Sequence, residues 1–337
     1  AHSSFMNIVA TLGIYFFLKE YNLRISYILF YCFSFATLCY PVSGTPFAYI
    51  HAYIFSLLAI FNLLIAIKRK NKLLWFLFPF TCLLAFLSMQ TPSAYIMIIL
   101  LILMIFHFYK EKDLKNLKIF ILGSILSIFT FFLFLFFTKT PFINFIYQYI
   151  LFPLTIGEGR IASKDIAYIS LIDQLNVKRL IGEFKFIHIF LLPLIFISIK
   201  KFKKNNTNIN ILNLTIIFST LAFFFNQLIT ANQIYIFSLI PILAAVVHLN
   251  FNSYDLNPKI IIIIFSIVLF ATVKFHLRFN VERKFHDLES VDKSQALMAN
   301  QVHKNFKNLK WISKNDKPEN ELKVIKQAIE IIDNDKR

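Results

Sequence analysis

Acidic residues, cysteine and glycine are scarce in this chain. Asp and Glu total 18 against 35 Lys and Arg, and there are 3 cysteines and 6 glycines in 337 residues. Cys32, Cys39 and Cys82 all fall inside apolar runs, at spacings that suggest neither a metal site nor a disulfide framework. They therefore say nothing about compartment. The net charge of +17 would suit nucleic acid, but most of the basic residues sit in short loops between apolar runs and in a C-terminal tail. What the chain has instead is hydrophobicity: 58% apolar residues, 42 Phe and a mean hydropathy of +0.65. A soluble domain is roughly 45–50% apolar, and several runs here approach or exceed the ~17 residues that cross a bilayer core. The composition predicts a polytopic membrane protein.

Ten spans are expected, at 4–18, 25–40, 47–67, 73–88, 94–109, 119–137, 186–199, 209–228, 232–249 and 260–273. Loops 19–24, 68–72, 110–118 and 200–204 carry Lys or Arg, and 250–259 adds Lys259. Loops 41–46, 89–93 and 229–231 carry none. The positive-inside rule puts the lysine loops in the cytoplasm of a bacterial inner membrane. Residue 1, the long loop 138–185 and the tail from Lys274 then fall outside. Pro141 to Ile156 is long enough to cross and would invert every later loop. Its two prolines, Asn144, Gln148 and two tyrosines favour an interfacial helix on the outer surface. The chain opens at Ala1 with no basic leader segment. Starting outside, it reads as a fragment that lacks an odd number of upstream spans, though a cleaved signal sequence would leave the same arrangement.

The spans contain no Asp or Glu and no ladder of charges. Intramembrane ionisable groups mark ion and proton pathways, so their absence weighs against proton-coupled transport and conduction. No matched pair of Gly- or Pro-interrupted spans supports an inverted-repeat transporter. His107, His248, His51 and His188 lie at or near span ends, where a solvated or snorkelling role is the plain reading. The outer turns are neutral but polar. Ser43, Gly44, Thr45 and His51 surround one; Gln90, Thr91 and Ser93 another; Asn226, Gln227, Thr230, Asn232 and Gln233 a third. Such groups suit sugar hydroxyls or a lipid head group, while the plain alternative is that they merely complement the lysine loops.

The long loop carries the chemistry-bearing charges. Glu158 and Arg160 sit in a Gly-rich turn, Lys164 and Asp165 follow, and Ile166 to Ile181 forms a second amphipathic segment. Arg160 can take phosphate oxygens in two-pronged fashion, and Glu158 and Asp165 are the nearest carboxylates for a general base. The alternative is a set of exposed surface ion pairs. From Lys274 the tail is highly charged. Glu282 to Gln301 can be helical, and a helix start at Asn315 to Glu319 precedes the stripe Leu322, Ile325, Ile329 and Ile332.

The expected fold class is thus an all-α polytopic membrane protein of about ten transmembrane helices. Six spans occupy 1–137, interfacial helices the outer loop 138–185, four spans 186–273, and a small, truncated α or α/β outer region 274–337.

Three local pieces carry a resemblance: Tyr40 to Pro46 (YPVSGTP) with His51 following, Phe86 to Pro92 (FLSMQTP) and Gln233 to Pro241 (QIYIFSLIP). Together with the span pattern, long outer loop and outer tail, they resemble the GT-C class of polytopic glycosyltransferases. That class includes the protein O-mannosyltransferases and the lipid A aminoarabinose transferases. The resemblance implies sugar transfer from a polyprenyl-phosphate carrier to a glycan, lipid or protein acceptor outside the membrane. It also implies a catalytic carboxylate in the first outer loop, at or before the start of this chain. Arg160 and Lys164 become candidates for the carrier phosphate, and His51, Gln90, Gln227 and Gln233 for the sugar. Glu158 and Asp165 remain the catalytic candidates within the chain, and a divalent metal is a candidate cofactor. The competing readings are an O-antigen-type polymerase or ligase using Arg160 and Arg179, a solute transporter, and a non-catalytic scaffold.

Overall fold

In the computed structural model the described residues are 2–40, 48–155, 177–182, 184–202, 207–230, 235–252, 258–282, 292–302, 304–313 and 317–334. Two compact units divide the chain, one to His276 and one from Leu277.

The first unit is helical. Its helices are α1 (His2–Glu20), α2 (Ile25–Cys39), α3 (Ala48–Arg69), α4 (Lys72–Ser88), α5 (Gln90–Glu111), α6 (Leu114–Phe137) and α7 (Phe142–Thr155). There follow α8 (Val177–Gly182), α9 (Lys185–Phe202), α10 (Thr207–Thr230), α11 (Leu239–Asn252) and α12 (Pro258–His276). Helix is present in each of the ten apolar runs. Long apolar runs fold this way because a bilayer offers no partner for backbone N–H and C=O groups, which a helix satisfies internally. Among the described residues five helices are long and apolar enough to cross a membrane: α3, α5, α6, α10 and α12 with its first continuing turn.

Local chemistry sets the ends. The Asn71 side chain accepts the Leu73 and Leu74 N–H groups to start α4, and Asp113 accepts the Asn116 N–H to start α6. In a glycine-poor chain the left-handed residues that usually close helices are Asn22, Lys70, Lys112 and Lys139, with φ of 51–57°. Lys68 and Arg69 in the last turn of α3 also complement its dipole.

Helix α3 is the hub. Fifteen of its residues are buried, from Tyr49 to Ile67, and it packs against α1, α4, α5 and α10. Helix α11 is similarly enclosed, with Leu239 to Val247 all buried. Peripheral α6 does the opposite. Phe129, Phe134, Phe136 and Phe137 are exposed there, as are Phe33 on α2 and Phe270 on α12. A soluble monomer rarely presents apolar patches on this scale, whereas lipid is their natural solvent. Where α6 meets α4 the spacing is close. Gly123 lies against the Phe76 backbone, and a Cβ at 123 would collide with the Phe76 carbonyl. Small residues allow such approach between apolar helices.

Contacts between helix ends fix the relative direction of the helices. At one end Arg69 pairs with Glu20, Trp75 stacks on His107 at 5.8 Å, and Asn213 and Asn250 exchange amide hydrogen bonds at 2.7 and 3.1 Å. At the other end His2 meets His51, Tyr53 meets Ser238, and Phe184 packs edge-on against Phe224 at 4.9 Å. The lysine-bearing end of α1 therefore lies with that of α3, and the start of α4 with the end of α5. The α7 segment is shorter than the helices long enough to cross a membrane. Phe145 packs on Phe131 and Tyr149 on Phe86, near the ends of α6 and α4.

In the second unit, β1 (Leu297–Met298) pairs antiparallel with β2 (Lys310–Trp311), and α13 (Pro318–Asn334) follows. The expected helix over Glu282 to Gln301 is not formed in its described part, which holds β1 and short 3-10 turns. Asp292 accepts from the Ser294 N–H and hydroxyl, holding a tight turn there and lowering its carboxyl pKa. Pro318 opens α13 as its fixed φ favours. Of the apolar stripe Leu322 is buried, while Ile332 is 69% exposed.

Candidate functional site

The polar side chains of the lysine-free end arise from the starts of α1, α3 and α5, the end of α10 and the turn before α11. Tyr49 and Tyr53 are four residues apart and share one face of α3. The Tyr49 hydroxyl accepts from the Gln227 amide at 2.5 Å and the Asn226 amide at 3.3 Å. One turn deeper, Tyr53 bonds the Ser238 hydroxyl at 2.7 Å and packs edge-on against Phe223. Asn226, Gln227 and Ser238 are all buried. Their amides and hydroxyl thus sit in low dielectric, where an unmet hydrogen bond is costly. Gln227 Oε1 is such a group: it is buried and has no hydrogen-bond partner among the described residues.

His51 lies two positions beyond Tyr49, which turns it about 200° around the helix. Accordingly it faces α1, and its Nε2 lies 2.5 Å from Nε2 of His2. One ring must donate its N–H to the other. Gln90, at the start of α5, donates to the Tyr149 carbonyl at 2.8 Å. That carbonyl belongs to a wide π turn in α7, which frees backbone groups that an α-helix would occupy. The Tyr149 hydroxyl in turn donates to the Phe86 carbonyl. Beneath this layer Ser93 donates to the Ala85 carbonyl at 2.7 Å and lies 3.5 Å from the Ser56 hydroxyl.

Of the residues singled out from the sequence, His51, Gln90 and Gln227 lie at this common end. They do not converge on one point: Gln227 is engaged by Tyr49, His51 by His2 on another face of α3, and Gln90 by α7. Glu158, Arg160, Lys164, Asp165 and Gln233 lie outside the described residues, as do Ser43, Gly44, Thr45 and Asn232. Tyr49, Tyr53, Tyr149, Ser238 and His2 are additional members of the polar layer. The tyrosine pair had a signal in the sequence, because AYIHAY places two phenols one turn apart on an apolar helix. Ser238 had none, since its role depends on meeting Tyr53 across 185 positions.

Among the described residues no three His, Cys, Asp or Glu side chains form a metal-binding group. His2 and His51 supply two imidazoles and no carboxylate, so this set does not fit the divalent metal that the resemblance allows.

The fold and exposed apolar surface define a helical membrane protein. No family model, curated protein or solved structure matches the chain.

Proposed function

We propose that the protein is a polytopic membrane glycosyltransferase of GT-C type. It moves a sugar from a polyprenyl-phosphate carrier to an acceptor on the outer face of the bacterial cytoplasmic membrane. In this reading ten helices cross, the lysine-bearing ends face the cytoplasm, and the polar layer built on Tyr49 and Gln227 faces outward.

The observation that carries the proposal is the buried Gln227 Oε1, without a hydrogen-bond partner among the described residues, within a neutral hydrogen-bonding layer. A sugar hydroxyl is a matching donor, and the adjacent phenols and amides supply further uncharged partners. Neutral groups suit a neutral sugar, whereas an ion pathway calls for charge at membrane depth. The charged work then falls to residues 156–176. Arg160 and Lys164 offset the negative charge of the departing polyprenyl phosphate. Glu158 or Asp165 accepts the proton of the acceptor hydroxyl as its oxygen attacks the anomeric carbon. The bond from that carbon to the phosphate oxygen breaks as the new glycosidic bond forms.

The test is turnover of a polyprenyl-phosphate-linked sugar by the purified protein. Arg160→Ala is expected to abolish transfer while expression and insertion are unchanged. Wild-type turnover by that variant would remove Arg160 from the site. Absence of any transfer by the unsubstituted protein across a panel of carrier-linked sugars would reject the reading itself.

A further inference from the structure

The opposite end of the first unit holds a hollow of about 240 Å³ between the ends of α1, α3 and α11 and the start of α10. Tyr21, Lys68, Asn208, Ile209, Leu212, Leu249 and Asn250 line it. We propose that it binds a phosphate group, and that Lys68 supplies the charge while Tyr21 and Asn208 supply hydrogen bonds.

Three observations support this. The first is the charge balance at the rim. Glu20 is the nearby acid, and its carboxylate is taken by Arg69. Lys68, the preceding residue, has no carboxylate partner among the described residues; its ammonium lies 5.7 Å from the centre of the Tyr21 ring. Among the described residues the cation at the hollow thus has no carboxylate counter-charge.

The second is Tyr21 itself. Its hydroxyl is buried and has no hydrogen-bond partner among the described residues. Burial in a native protein normally comes with a partner, from protein, water or ligand. A phenol is a donor with an ordinary pKa near 10, and burial together with the Glu20 charge pushes this one upward. It therefore remains a proton donor at neutral pH and matches an oxyanion.

The third is the preformed wall. The Asn250 amide is held by reciprocal bonds to Asn213 and by its bond to the Val246 carbonyl at 2.9 Å. This interlock fixes α10 against α11 beside the hollow, with Asn208 one and a half turns before Asn213 on the same helix. Lys68, Asn208 and Asn250 sit at helix ends and Tyr21 in the turn that follows α1, and the location among lysine-bearing ends raises the local concentration of anions. Basic pockets between helices at the cytoplasmic surface are suited to lipid phosphates. The same donors would accept inorganic phosphate or a soluble phosphate ester, so the source is a question for experiment. The site lies at the end opposite Tyr49 and Gln227, and the proposal is independent of the transfer reaction.

The experiment uses the whole chain, purified in neutral detergent. Phosphatidylglycerol retention is read by native mass spectrometry, and phosphatidylcholine serves as the neutral-lipid control. In a parallel arm, inorganic phosphate binding is read by calorimetry. Lys68→Met keeps the aliphatic stem of an exposed residue and is expected to weaken phosphatidylglycerol binding about tenfold, or about 1.4 kcal/mol. Tyr21→Phe is expected to weaken it several-fold with the fold intact. Lys110→Met, at the same end but away from the hollow, should leave binding unchanged. Lipid binding sensitive to Lys68 and Tyr21 identifies a head-group site. Binding of inorganic phosphate alone, with the same sensitivity, identifies a soluble phosphate ligand. Equal loss in Lys68→Met and Lys110→Met, or no loss in Lys68→Met and Tyr21→Phe in either arm, overturns the site.

Discussion

The Tyr49 hydroxyl accepts the amide of Gln227 at 2.5 Å across 178 positions of sequence, joining the start of α3 to the end of α10. It also accepts from Asn226. Tyr49→Phe removes one acceptor and deprives two buried amides of it. A loss of about 1–3 kcal/mol in stability is expected, since an unmet buried donor carries its full desolvation cost. Thermal unfolding in detergent reads this directly. Unchanged stability would show that both amides find other partners, and would weaken the case for a rigid polar layer.

The close passage of α6 over α4 depends on the missing side chain at Gly123. Gly123→Ala forces its Cβ against the Phe76 carbonyl, a backbone atom that cannot rotate away. Destabilisation of about 1–3 kcal/mol follows from overpacking. Gly182→Ala, where the added Cβ meets nothing within 4 Å, is the control and should be near neutral. Equal behaviour of the two variants would contradict the packing described between α4 and α6.

Asn213 and Asn250 satisfy each other inside the bundle. Asn213→Leu strands the partner amide and is expected to cost about 1–3 kcal/mol. The double variant Asn213→Leu, Asn250→Leu should cost less than the sum of the two single changes, because neither amide is then left alone. Strict additivity in unfolding measurements would mean that the pair is not coupled.

Sidedness has a chemical test. The native cysteines are buried, so an introduced thiol can be read against a low background. Thr91→Cys and Ser163→Cys are expected to react with an impermeant maleimide in intact cells, and Asn71→Cys only after the membrane is opened. The reverse pattern would invert the orientation and move the polar layer to the cytoplasm.

Much of the helical architecture was legible because each apolar run must satisfy its own backbone, a requirement that residue type alone reveals. The direction of successive helices was legible for a similar reason, as lysines mark alternate ends. The absence of a helix over the described part of 282–301 was not. Charged, weakly apolar sequence there admits helix or turn, and the choice falls to contacts such as the Ala299 N–H to the Leu309 carbonyl at 3.0 Å. The candidate site was read in part. Gln227, Gln90 and His51 were chosen as polar residues beside neutral turns, and they do share an end. Their separation on different faces was hidden, because it depends on how α3 is rotated among its neighbours.

The amino-acid sequence alone determined that this is a helical membrane protein with two chemically different ends. Hydrophobicity and charge act locally, through solvation of each segment, and need no partner to be read. Tertiary structure decided which polar groups meet. Tyr49 with Gln227, Tyr53 with Ser238 and Lys68 beside Tyr21 and Asn208 all depend on helix rotation and packing over long sequence separations. Packing likewise decided which hydrogen bonds remained unmet, at Gln227 and at Tyr21, since only burial turns an ordinary amide or phenol into one that requires a partner.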